Sequence, residues 1–118
     1  MPRTKPSILI VDADAYLAGL YGRKFEAEGW KVTVVEQIDE AKKALAKKVP
    51  SILLIEPDSN PDAAEEFIRT TSAPTVILTT LSESTEIERM KKAGAAAYLL
   101  KGHFVPSEVV SKVRNLVH

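Results

Sequence analysis

Apolar positions along the chain alternate between two spacings. Ile8-Leu9-Ile10-Val11, Ile52-Leu53-Leu54-Ile55 and Thr75-Val76-Ile77-Leu78 are short, nearly continuous apolar runs, the signature of strands covered on both faces. Val32-Thr33-Val34-Val35 and the stretch from Ala96 to Leu100 complete a set of five. Between them apolar residues recur at helical spacing. Leu17, Leu20, Tyr21 and Phe25 form one stripe, with Gly29 as a stop, and Ile38, Ala41 and Leu45 form a second, with Asp39 as its predicted cap. Phe67 and Ile68 mark a third helix after Pro57 and Pro61. Ile87 and Met90 mark a fourth, opened by a Thr85–Glu88 capping box and stopped by Gly94. Val109, Val110, Val113, Leu116 and Val117 mark a fifth, starting near Pro106.

Strict strand–helix alternation with short loops predicts right-handed crossovers and a doubly wound α/β sheet. With five strands the expected fold is flavodoxin-like, a (βα)5 unit of strand order 2-1-3-4-5, its site outside the carboxyl ends of the strands. Residues 1–6 read as a tail and 7–118 as one domain, with no output domain expected. The sixteen basic and sixteen acidic side chains cancel, which argues against a nucleic-acid or anionic-membrane partner. Absence of cysteine excludes disulfides, thiolate metal sites and thiol nucleophiles. The apolar run after the basic tail is four residues long, too short for a signal core or a membrane span, so a cytoplasmic location is expected.

The chemistry lies at the strand ends. Asp12 follows the first strand, Glu56 the third, Thr79 the fourth and Lys101 the fifth. Two carboxylates, a hydroxyl and an ammonium would meet in one crevice, a set suited to binding or transferring a phosphoryl group. Any one of them alone would be an ordinary polar strand-end residue.

On ILIVDAD, SILLIEP, PTVILTT and AGAAAYLLK the chain resembles the response-regulator receiver (CheY-like) family of two-component signalling over nearly its whole length. The resemblance implies that Asp12 matches the first acid of the family's acidic pair and Glu56 the phosphoacceptor aspartate. Thr79 matches the switch threonine, Tyr98 the rotameric aromatic and Lys101 the phosphate-binding lysine. Four departures fall inside this set. Ala13 stands at the second acid, Glu56 replaces the aspartate, Pro61 comes one residue late, and Gly102-His103-Phe104 follows Lys101 in place of Pro-Phe. The KGHFVP stretch is similar to a bacterial receiver subgroup.

These departures predict an atypical receiver that works by protein interaction. Mg²⁺ prefers several oxygen ligands, so Asp12 and Glu56 without an acid at position 13 are expected to bind it weakly, and no cofactor is assigned. Glu56 is one methylene longer than aspartate. An error of about 1 Å in a reacting group costs on the order of 100-fold, so Glu56 is not expected to accept phosphate. Its carboxylate could instead pair with Lys101 and imitate an acyl phosphate. Asp14 is expected to cap the first helix, Asp58 to be a turn residue, His103 a loop residue, and Lys42, Lys43, Lys47 and Lys48 a solvated face. Expected partners are a histidine kinase or output protein, or a second copy on the face of helix four, strand five and helix five.

Two other functions fit parts of the sequence. Glu56 or Asp58 could serve as a working phosphoacceptor. IVDADAYL also fits the Asp-x-Asp nucleophile motif of haloacid-dehalogenase-type phosphatases, with Thr79 and Lys101 following in order. That family needs a further acidic pair after the lysine, and here only Glu108 follows, so no enzymatic activity is expected.

Overall fold

A computed structural model describes residues 5–58, 60–80, 84–101 and 105–117. In chain order the elements are β1 (Ser7–Val11), α1 (Ala15–Ala27), β2 (Lys31–Val35), α2 (Ile38–Lys47), β3 (Ile52–Ile55), α3 (Pro61–Thr70), β4 (Thr75–Thr79), α4 (Ser84–Ala93), β5 (Ala97–Leu100) and α5 (Pro106–Val117). The five strands form one parallel sheet in the order β2-β1-β3-β4-β5. This is the expected flavodoxin-like arrangement, in which the order of strand addition reverses between β1 and β3.

Alternation along each strand divides the core into two layers. Ile8, Ile10, Ile52, Leu54, Val76 and Leu78 face α1 and α5, where they meet Phe25, Val109 and Val113. Leu9, Val11, Leu53, Ile55 and Ile77 face the other way, onto Phe67, Ile68 and Met90 of α3 and α4. Because both faces are covered, β1, β3 and β4 read as continuous apolar runs rather than as alternating ones. Phe25 packs edge-on against Trp30, with ring centroids 5.2 Å apart. Gly22 lets α1 lie close to β2, since a β-carbon there would sit 3.3 Å from Val32 Cγ1.

Local signals set most of the helix ends. Asp14 Oδ1 accepts from the Leu17 N–H at 3.1 Å and caps α1, and Gly29, at φ +92°, turns the chain after it. Asn60 caps α3 by accepting from the Ala63 N–H, with Pro61 in its first turn.

Three expectations need correction. The N-cap of α2 is Gln37 rather than Asp39. Glu40 Oε1 accepts from the N–H groups of Glu36 and Gln37, which starts the helix two residues earlier and leaves Asp39 in its first turn. Thr85 lies inside α4, which already begins at Ser84. Leu116 is 45% exposed on α5, because Val109, Val110 and Val113 fill the layer against the sheet. Gly102, His103 and Phe104 lie outside the described residues.

Candidate functional site

The carboxyl ends of β1, β3, β4 and β5 bring Asp12, Glu56, Thr79 and Lys101 to one edge of the sheet. The register places β3 between β1 and β4, so Glu56 stands between the other groups. The site has two halves, one on each side of Glu56.

The first half is a buried ion pair. Asp12 is 2% exposed, and the Lys101 side chain 10%. Lys101 Nζ lies 2.9 Å from Asp12 Oδ2, which is held by the ammonium charge and lacks an aligned hydrogen-bond donor among the described residues. Asp12 Oδ1 accepts from the Asp14 N–H at 2.9 Å. Removing either member of such a pair strands the other charge in a low-dielectric interior. Tyr21 of α1 sits beside the pair. Burial pushes its hydroxyl pKa up, the Lys101 charge opposes that rise, and the Asp12 and Asp14 charges add to it.

The second half is a set of oxygen contacts on Asp58. The buried Thr79 hydroxyl donates to Asp58 Oδ1. The Thr80 N–H donates to Asp58 Oδ2 at 2.9 Å, and the Thr80 hydroxyl donates to the same oxygen at 2.6 Å. Asp58 is therefore a turn residue whose carboxylate reaches across to the end of β4. The Asp58 N–H in turn donates to Glu56 Oε2, so Glu56 fixes the turn that aims Asp58.

Glu56 is the electrostatically strained member. Burial raises its pKa most, and the facing Asp58 carboxylate raises it further. The Asp58 N–H and then the Lys101 charge pull it down, while Asp12 adds a smaller upward push. The ion pair that Lys101 closes is with Asp12, and its charge acts on Glu56 only as a subordinate influence.

The donor set does not fit Mg²⁺ well. Position 13 offers a methyl group, and both Asp12 oxygens already serve other groups. Among the described residues no three acidic or histidine side chains converge on a point that could hold a metal. Ala13 instead lines an open cleft of about 320 Å³, bordered by Glu36, Asp39, Lys42, Glu56 and Glu66.

Tyr98 lies away from these contacts, on β5 opposite Ile77 and 40% exposed. The Lys91 ammonium stands 5.6 Å from its ring centroid. Lys42, Lys43, Lys47 and Lys48 are exposed, as a solvated face requires. Neither Thr80 nor Tyr21 stands out in the sequence as a residue of the site. The tandem hydroxyls of Thr79-Thr80 were the available signal for the first, whereas Tyr21 is indistinguishable in sequence from its helix's packing stripe.

Known proteins resemble this chain in sequence and in fold. No family model matches the chain. The DNA-binding response regulator MtrA of Mycobacterium tuberculosis is 29% identical over 118 aligned positions, covering 97% of this chain and 51% of that protein. MtrA of Mycobacterium leprae is 30% identical over 111 positions, covering 91% of this chain and 49% of that protein. The chain thus spans about half the length of the curated relatives it matches. A response regulator from Thermotoga maritima superposes with a TM-score of 0.87 at 18% identity, covering 97% of this chain and 98% of that one. The chemotaxis response regulator CheY4 of Vibrio cholerae superposes with a TM-score of 0.84 at 20% identity, covering 98% and 100%. The orphan response regulator HP1043 of H. pylori gives 0.86 at 14% identity, covering 99% and 100%.

Proposed function

We propose that this chain, a member of the response-regulator receiver (CheY-like) family, acts in two-component signalling as a pseudo-receiver. It works by binding a protein partner and not by accepting phosphate. The observation that carries this reading is the commitment of the acids at the strand ends. Asp12 is spent on Lys101 and the Asp14 N–H, position 13 is alanine, and Glu56 holds the Asp58 turn. A phosphoryl group arriving at Glu56 would meet the Asp58 carboxylate with no second acid to anchor a compensating cation. Burial and the facing Asp58 carboxylate both raise the Glu56 pKa, so the site already holds more negative charge than it favours before a phosphoryl group arrives.

In this reading the working surface is the face of α4, β5 and α5, where Lys91 and Tyr98 are exposed beside Ile87. Its partner is a histidine kinase, an output protein or a second copy, in the cytoplasm. Among the described residues no helix is long and apolar enough to cross a membrane.

The test is an amide NMR titration with Mg²⁺ and beryllofluoride, an acyl-phosphate mimic. The pseudo-receiver reading expects no saturable shifts at Thr79, Tyr98 or Lys101. Saturable shifts at all three would establish a working phosphoacceptor.

A further inference from the structure

We infer that Asp58 is a built-in ligand of the oxyanion site formed by Thr79 and Thr80: its carboxylate takes the place of a free phosphate-like anion. This deepens the pseudo-receiver reading and rests on it for the expectation that no phosphoryl group competes.

The geometry is that of a bound anion. Three donors converge on one carboxylate: the Thr79 hydroxyl on Oδ1, and the Thr80 N–H (2.9 Å) and hydroxyl (2.6 Å) on Oδ2. Charge-assisted bonds of this kind are about twice as strong as neutral ones. The donors lie 21 and 22 residues from Asp58, so the contact is not a local turn bond but a bridge between the β3–α3 and β4–α4 connections. The bridge is also aimed. Glu56 accepts the Asp58 N–H, and Pro57 restricts the intervening backbone, so the carboxylate is presented to the threonines at little entropic cost.

The anion's position matters for the rest of the molecule. Thr79 is the last residue of β4, and its carbonyl accepts from the Lys101 N–H at 2.7 Å. Ile77, two residues earlier on the same sheet face, pairs with Tyr98. A carboxylate fixed on Thr79 therefore holds the end of β4, which accepts the Lys101 N–H and pairs with β5, the strand that presents the exposed Tyr98. The chain carries permanently the contact that a transient anion would otherwise supply.

A staple between two loops would have the same hydrogen bonds, so the test must detect the anion site itself. The experiment compares the parent with Asp58→Ala and Asp58→Asn, by amide NMR and by titration with inorganic phosphate in the absence of metal. In the parent the Thr80 amide should exchange slowly, and phosphate should produce no saturable shift. In Asp58→Ala its exchange should accelerate by about 10- to 100-fold, the factor equivalent to one lost hydrogen bond to a charged group. Inorganic phosphate should then bind saturably, shifting Thr79, Thr80 and Lys101. Asp58→Asn keeps the side-chain volume and one acceptor oxygen, and should retain part of the protection and bind phosphate more weakly than the alanine variant.

Unchanged Thr80 exchange in Asp58→Ala would overturn the proposal. So would phosphate binding equally to parent and variant, or to neither. Failure of the pseudo-receiver reading looks different. A phosphoryl group on Glu56 after treatment with an acyl phosphate, with Thr80 still protected by Asp58 in the untreated protein, would sink that reading alone.

Discussion

At Glu56 the chain holds a carboxyl group whose ionisation the fold resists. Its pKa is raised above the ordinary glutamate value of 4.5, first by burial and then by Asp58. The raised value sets the sign of a pH effect. The folded state binds the Glu56 proton more tightly than the unfolded state, so ionisation above the raised pKa costs stability. That cost is relieved as pH falls through the raised pKa and disappears below 4.5. Glu56→Gln keeps an oxygen to accept the Asp58 N–H and removes the charge. It is expected to raise the melting temperature at pH 7 to 8, with the gain shrinking to nothing by about pH 4 in thermal denaturation across that range.

The neighbouring residue supplies a second prediction. Ala13→Asp together with Glu56→Asp should recreate Mg²⁺ binding in the millimolar range, on the order of −4 kcal/mol. Each change alone should do less, because groups in one charged site are coupled. The double variant should also lose metal-free stability through repulsion beside Asp12, and Mg²⁺ should recover it in a thermal shift. Absence of any metal-dependent shift in the folded double variant would mean that the residue-by-residue match to the family fails at the site. Much of the site was legible at this scale, since a polar residue just past a buried strand is aimed at one edge by the sheet. Asp58 was not, because its role depends on a contact 22 residues away that spacing does not encode.

Among the elements, α3 and α4 are joined by charge. Arg89 reaches Asp62 and Glu65 on α3 and Glu86 on its own helix, and Arg69 adds a second contact to Glu65. The Arg89 guanidinium is held protonated even more firmly than usual, chiefly by Asp62 and then by Glu65. Glu65 is pulled below its ordinary range, first by Arg89 and then by Arg69. Its depressed pKa contributes stability that is present above 4.5 and lost as pH falls through the folded value. Arg89→Ala is therefore expected to lower the melting temperature at neutral pH, with the difference closing at acid pH. A constant difference across that range would assign the effect to lost packing of the arginine stem.

The elements themselves were the most readable level. Unbroken apolar runs locate β1, β3 and β4 because both faces of the sheet are covered. The edge strand β2 could be read from β-branched residues alone, since Thr33 and Val34 are exposed. Helix starts were less legible where several capping residues compete, as at Gln37, Asp39 and Glu40.

For the whole molecule, the account joins a fixed anion contact at one end of β4 to an interaction face on α4, β5 and α5. If that face is the working surface, Lys91→Glu should weaken any complex or self-association of the protein. The change reverses a charge and removes the cation from the Tyr98 ring. An unchanged dissociation constant for a demonstrated complex would move the interface elsewhere. The central claim is that no phosphoryl group is accepted, and intact-mass measurement after incubation with acetyl phosphate and Mg²⁺ tests it most directly. The account predicts an unchanged mass; a stable gain of one phosphoryl group, mapped to Glu56 or Asp58, would contradict it.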